Sequence, residues 1–441
     1  MSLPVEKALR KAKSHIKAGE LAVAEELYKQ ILSKFPKNKK AIQGYQKLKA
    51  GITLKGSSKS EPPQEKIDEL DRLYNEGQMA AVLDLAQVLT QLYPRAFMPW
   101  NILGAANKGV GRVQAASEAF KKVTELNPNY ADGFNNLGVT LQNQGKLDEA
   151  IASYNKAVYL KPDYAEAYYN MGNALKEKGD LDAAIDSYKQ ALKINPDSVD
   201  AYNNMGVALK EKGDIDAAID SYKKAIKIKP GHAGAYSNMG NALQDKGELD
   251  AAIDSYKRAI KIKPDYAEAY SNLGNALQDK GELDAAVDSY KQAIKIKPDY
   301  AEAYRNMGNA LQDKGELDAA IDSYNQALKI KPDFAEAHRH LSTVKKYNFA
   351  NEQITQMKFL YSDQKIENDR KCHLCFALAK ASEDSGDFQE AFEYLKEGNA
   401  LRKKALFYDI KTDQTIFDNL KKTNLSIPQN TVVSIKKPSD V

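Results

Sequence analysis

Residues 267–300, AEAYSNLGNALQDKGELDAAVDSYKQAIKIKPDY, and 301–334, AEAYRNMGNALQDKGELDAAIDSYNQALKIKPDF, are almost the same 34-residue segment written twice. Counted in 34s, units start at Pro63, Phe97, Ala131, Ala165, Val199, Ala233, Ala267 and Ala301, with no insertion or slip. A chain locked to one period over this length folds as an array of equivalent supersecondary units, each contacting its neighbours, rather than around one closed core.

The positions within a unit, numbered 1 to 34, state what each unit is. Position 4 is aromatic from Trp100 through Phe134, Tyr168, Tyr202, Tyr236 and Tyr270 to Tyr304, and positions 7 and 8 read Leu-Gly or Met-Gly. In the unit at Ala165 the later landmarks are Leu175, Gly179, Ala184, Tyr188, Ala191 and Pro196. Positions 4, 7, 8 and 11 recur three or four apart and so form one stripe of a helix A. Small residues at 8 and 20 let two helices approach, with an aromatic filling the space beside them. Gly179 ends helix A and lets the chain turn, and Pro196 stops helix B. One such hairpin buries too little to stand alone: a buried apolar side chain contributes ~1.5–3 kcal/mol, against ~1.5 kcal/mol to order each residue. Stacking on neighbours supplies the rest.

This pattern resembles the tetratricopeptide repeat. Val5–Asn38 resembles a further unit (Gly19, Ala24, Tyr28, Pro36), and residues 372–402 a degenerate one (Gly386, Phe388, Ala391, Leu395). The unit starting at Ala335 loses its glycine to Ser342 and then the pattern, so the regular stack is expected to end there. The resemblance implies an all-α fold, a right-handed superhelix (α-solenoid) with a helical C-terminal cap. The expected division is 1–50, a basic helical hairpin; 51–62, a flexible linker; 63–348, the array; 349–405, the degenerate cap; and 406–441, a tail.

At 100° per residue, positions 2, 6, 9 and 13 lie opposite the stripe that packs helix A. Position 6 is asparagine in six successive units: Asn136, Asn170, Asn204, Asn238, Asn272 and Asn306. Position 9 is Asn173, Asn241, Asn275 and Asn309, interrupted by Val139 and Val207. Position 13 is acidic at Glu177, Glu211, Asp245, Asp279 and Asp313. Asparagine is a mediocre helix former, so propensity does not explain such rows. Its amide offers a donor and an acceptor, which matches the backbone of an extended peptide. The rows resemble the asparagine ladder in the repeats of O-linked N-acetylglucosamine transferase. Two readings stand side by side: a ladder that binds peptide, and amides that bridge to the next repeat and are copied with it. The acidic row argues against a clamp for carboxylates and favours a neutral-to-basic polypeptide partner.

Charge is unevenly placed. Residues 1–60 carry 14 Lys/Arg against 4 Asp/Glu, whereas 61–401 carry 42 against 52. The basic N-terminal end reads as a solvated basic surface, and no nucleic-acid partner is expected. No stretch approaches the ~18 apolar residues of a membrane helix, so no membrane insertion is expected. Two cysteines and the lack of an apolar leader point to a cytoplasmic chain. Cys372 and Cys375 have the spacing of half a zinc site, with His338 and His340 near in sequence, but no second cysteine pair exists; neither metal nor cofactor is expected. Phosphate loops, H-E-x-x-H and nucleophile elbows are absent from the sequence.

The run CFALAK…GDFQEAFEYLKEGNALRKK…YDI resembles the junction between repeats and catalytic domain in bacterial tetratricopeptide-repeat sulfotransferases. The phosphosulfate-binding loop that follows in that family is not in this sequence, so no catalytic residue carries over. The reading is a non-catalytic interaction scaffold that binds an extended peptide or partner protein. The alternative is the recognition half of a split or truncated sulfotransferase, or of a related glycosyltransferase-like protein.

Overall fold

The computed structural model describes residues 5–17, 21–54, 61–348, 352–406, 414–415, 418–419 and 421, and every regular element among them is a helix. The chain forms two compact units, Met1–Pro230 and Gly231–Val441. The first holds α1 (Val5–Lys17), α2 (Leu21–Lys34) and α3 (Lys39–Leu54), then the pairs α4 (Gln64–Asn75) and α5 (Met79–Leu92), α6 (Phe97–Gly109) and α7 (Val113–Leu126), α8 (Ala131–Gln142) and α9 (Leu147–Leu160), α10 (Ala165–Lys178) and α11 (Leu181–Ile194), and α12 (Val199–Lys212) and α13 (Ile215–Ile228). The second holds α14 (Ala233–Asp245) and α15 (Leu249–Ile262), α16 (Ala267–Asp279) and α17 (Leu283–Ile296), and α18 (Ala301–Asp313) and α19 (Leu317–Ile330). After them come α20 (Ala335–Val344), α21 (Glu352–Tyr361), α22 (Asn368–Asp384) and α23 (Phe388–Ala405). Within each unit a hairpin packs on the next through consecutive helices, as α11 on α12 and α15 on α16. The fold is an all-α solenoid of tandem hairpins.

Two glycines per repeat make this possible. The one at position 15 lies in the left-handed region, as at Gly179 (φ 89°) and Gly247 (φ 82°), and redirects the chain from helix A to helix B. The one at position 8 is a matter of space. A Cβ on Gly172, Gly206 or Gly240 would stand 2.6 Å from Cε1 of Tyr188, Tyr222 or Tyr256, the position-24 tyrosine of the same repeat. Those rings, with Tyr154, Tyr290 and Tyr324, are 0% exposed and are among the largest fully buried side chains.

A buried phenol needs a hydrogen-bond partner. Position 9 supplies it: the hydroxyls of Tyr188, Tyr256 and Tyr290 each donate to Asn Oδ1 (Asn173, Asn241, Asn275) at 2.7 Å, and Tyr324 donates to Asn309 at 2.8 Å. The unit starting at Val199 is the exception. Val207 occupies position 9, Lys210 cannot accept, and the Tyr222 hydroxyl is buried without a partner.

One boundary and one register differ from the sequence reading. Helix α3 continues to Leu54, into the stretch expected as a linker, and Tyr28, Ala41 and Leu48 share the small core that α3 completes. The remaining part of that linker up to residue 60, and most of the expected tail, lie outside the described residues. In the degenerate cap Gly386 turns the chain as expected (φ 81°) and Ala391 is buried. Leu395, aligned with the position-24 tyrosine, is instead 42% exposed, and Tyr394 packs edge-on to Tyr361 at 5.3 Å. Helix α23 is thus turned by one residue relative to a helix B, so that its face meets α21.

Gly240→Ala is expected to destabilise the chain by ~1–3 kcal/mol through overpacking. Combining it with Tyr256→Leu should cost clearly less than the sum of the two single changes, read by denaturant titration. Independent, additive losses would refute the close-contact account. Val207→Asn is expected to stabilise by ~0.5–1.5 kcal/mol by giving the Tyr222 hydroxyl an acceptor, and to gain nothing in a Tyr222→Phe background. An equal gain in both backgrounds would show that the orphaned hydroxyl is not the cause.

Candidate functional site

The asparagine rows do not stand free in solvent. Residues at positions 6 and 9 are half-buried throughout, which corrects the expectation that they face away from the packed side of helix A. The reason is the hydroxyl at position 24. Its acceptor at position 9 must reach inward, and the same Oδ1 then takes a second bond from the position-6 amide of the following repeat. Asn204 Nδ2 donates to Asn173 Oδ1 at 2.9 Å, Asn272 Nδ2 to Asn241 Oδ1 at 3.1 Å, and Asn306 Nδ2 to Asn275 Oδ1 at 3.0 Å. Where position 9 is valine the link changes: Asn170 Nδ2 donates to Asn135 Oδ1, at position 5 of the repeat before, at 3.0 Å.

Position 12 extends the network outward. Gln244 and Gln278 accept from the same tyrosines with Oε1 (3.1 and 3.2 Å). Their Nε2 groups donate to the position-13 acids of the next repeat, Asp279 at 2.6 Å and Asp313 at 2.7 Å. Gln142 makes the same bond to Glu177 at 3.1 Å. Glu177, Glu211, Asp245, Asp279 and Asp313 are exposed and form an acidic edge beside the amides.

This bonding fixes each amide's orientation and decides which atoms remain. With both lone pairs of Oδ1 engaged, Asn241 and Asn275 keep their Nδ2 donors, while Asn272 and Asn306 keep Oδ1 as an acceptor. None of these remaining atoms is among the buried polar atoms lacking a partner, and the four residues are half-buried. The outcome is an alternation of donor and acceptor on a surface with a negative edge. Asn136 and Asn238 lie at the same register on α8 and α14, and Asn309 closes the row, because the next position 6 is His340, stacked on Tyr324 at 6.0 Å.

The histidines and cysteines of the cap are packing residues. His338 is 0% exposed, with Nε2 3.0 Å from the Pro332 carbonyl, to which it donates. Cys372 and Cys375 are buried free thiols on α22, and burial pushes the Cys375 thiol up to about 12. Glu336, Asp369 and His373 bring ligand atoms within 4.8 Å of one another. Arg339 can only donate, so the His373 Nδ1 that it meets at 3.4 Å must accept, and the proton sits on Nε2, the atom facing Asp369 at 3.9 Å. A guanidinium beside the ring and a protonated Nε2 both oppose a cation there.

Models of the tetratricopeptide repeat match residues 8–38, 99–130 and 119–152, and a further TPR repeat model matches six overlapping stretches from 143 to 343. Among solved structures, the chain is 36% identical to MamA over 37% of its own length and 96% of that chain, with a TM-score of 0.35. It is 28% identical to YrrB, described as a TPR protein with an unusual peptide-binding site, over 43% of this chain and 97% of that one (TM-score 0.37). A tetratricopeptide repeat protein from Parabacteroides merdae ATCC 43184 is 18% identical over 56% of this chain and 98% of the other (TM-score 0.47). No curated protein matches the chain. Nothing in these comparisons bears on the resemblance to sulfotransferases or to O-linked N-acetylglucosamine transferase. With matched repeats over more than half its length, the chain belongs to the tetratricopeptide-repeat family.

Proposed function

We infer that this chain is a non-catalytic interaction protein whose amide rows take an extended, neutral-to-basic polypeptide. One observation carries the reading: the inter-repeat bonds leave Nδ2 donors and Oδ1 acceptors in a fixed alternation, held in place before any ligand arrives. Preorganised amides lose little freedom on binding, so more of each bond's energy appears as affinity. An extended backbone presents NH and CO groups in the same alternation and needs no particular side chains, which suits an array that repeats. The acidic row at position 13 selects the sign of the ligand's side chains. A peptide is also what the printed description of YrrB assigns to that protein.

On this proposal the two sequence readings of the rows are compatible. The amides bridge repeats, and the atoms that the bridges leave over face the ligand. Loss of an amide therefore has a structural side as well: Asn272→Ala or Asn306→Ala removes one donor from Asn241 or Asn275.

The test is fluorescence anisotropy with a labelled, capped (Ser-Lys)5 peptide beside (Ser-Glu)5. The lysine peptide is expected to bind and the glutamate peptide to bind far more weakly. Replacing Asn272 and Asn306 together with alanine should weaken the lysine peptide about 5- to 150-fold, since each lost amide–backbone bond is worth ~0.5–1.5 kcal/mol, and should lower stability by ~1–3 kcal/mol. Unchanged affinity in a folded double variant would reduce the rows to inter-repeat bridges.

A further inference from the structure

Position 5, beside the amide rows, changes character at the end of the second unit. It is Ser237 and Ser271 in its first two repeats, then Arg305 and Arg339 on α18 and α20, and His373 follows 34 residues later on α22, in the differently registered cap. Around the last two of these, α20, α22 and α23 enclose a cleft of about 470 Å³. Arg339, Arg402 and Lys404 line it together with the apolar Leu401, Ala405 and Leu406. That volume falls within the ~300–1,000 Å³ of ordinary ligand sites.

The cations here are treated differently from their neighbours. Nearby bases have carboxylate partners: Arg370 with Asp333 (2.6 Å), Lys371 with Glu397 (2.6 Å), Lys358 with Glu390 (2.6 Å) and Lys314 with Asp284 (2.5 Å). Among the described residues Arg305, Arg339, Arg402 and Lys404 make no ion pair. Arg305 has its Nε buried without a partner. Arg339 is fixed by the Phe376 ring, 5.0 Å away, and by His373 Nδ1, contacts that orient a guanidinium without neutralising it. The cleft lining holds one carboxylate, Asp369, against three cations, Arg339, Arg402 and Lys404. Burial, then Arg305, Arg339 and His373, push His340 down to about 4, so it adds no charge at neutral pH.

We propose that this cleft is a second binding site, for an acidic polypeptide segment in which carboxylate and apolar side chains alternate. The guanidinium and ammonium groups at the rim pair with the carboxylates, and Leu401, Ala405 and Leu406 receive the apolar side chains between them. The site stands apart from the amide rows: it uses α20, α22 and α23 and the opposite charge.

Anisotropy on the full chain with labelled, capped (Leu-Glu)5 and (Leu-Lys)5 tests it. The glutamate peptide is expected to bind, with affinity falling at least tenfold between 0.05 and 0.5 M salt, and the lysine peptide, which can bind only at the amide rows, not to compete with it. Arg339→Gln with Arg402→Gln should lose at least tenfold. Arg402→Gln with Lys404→Gln, both on the exposed last turn of α23 and harmless to folding, should lose at least fivefold. The Asn272→Ala, Asn306→Ala variant should keep full affinity for (Leu-Glu)5, which separates this cleft from the amide rows. The proposal is overturned if (Leu-Glu)5 fails to bind, if neither arginine-containing variant weakens it, if unlabelled (Leu-Lys)5 displaces it as well as unlabelled (Leu-Glu)5 does, or if the asparagine variant abolishes binding instead.

Discussion

The contact on which the rest depends is a tyrosine ring laid on a glycine. In each regular repeat helix B presses its position-24 ring against position 8 of helix A, at a distance where no Cβ fits. Apolar burial draws the ring in, but its hydroxyl goes with it, and an unpartnered buried hydroxyl costs ~1–3 kcal/mol. An acceptor must therefore stand within reach on helix A, and positions 9 and 12 supply it: Asn241 for Tyr256, and Gln142 for Tyr154, where position 9 is Val139. Packing in this way dictates polarity: the asparagine at 9 follows from the tyrosine at 24.

Once the position-9 carbonyl is drawn inward, its second lone pair lies within reach of the following helix A, and the position-6 amide takes it. The bond ties neighbouring repeats by a polar link in addition to their apolar contact, so the nearest-neighbour stability of a repeat array acquires a directional part. Surface ion pairs run between repeats as well, Lys280 to Asp250 at 2.7 Å among them, but exposed pairs contribute only ~0–1 kcal/mol. The amide bonds matter more for geometry than for energy, because they decide which donors and acceptors stay available. Val207 shows the logic by exception: without the amide, the tyrosine beneath is orphaned.

Towards the end of the second unit the same register carries a different chemistry. His340 stands where the position-6 asparagine was, stacked on Tyr324, and arginine replaces serine at position 5. Amides and serines give way to cations and aromatic rings on successive helices of one spacing. A repeat scaffold can vary its ligand chemistry along its length in this way without altering its packing, since the residues that vary are not those that hold the ring on the glycine.

The sequence by itself determined the period, the hairpin and its turns, because each rests on local geometry: Gly179 and Gly247 can take positive φ, and Pro196 cannot continue a helix. It also displayed the asparagine rows, with their register and their interruptions at Val139 and Val207. Only the tertiary structure decided what those rows do. A helical-wheel angle places Asn241 relative to its own helix, and says nothing of the Tyr256 hydroxyl on α15 or the Asn272 amide on α16 that converge on it. The cleft was hidden for the same reason. Arg305 and Arg339 are visible as a spacing of 34, yet the charge of Arg339 counts for the proposed binding only because, among the described residues, no carboxylate pairs with Arg339, Arg402 or Lys404. The absence of a partner is a property of three-dimensional neighbours, to which neither spacing nor composition gives access.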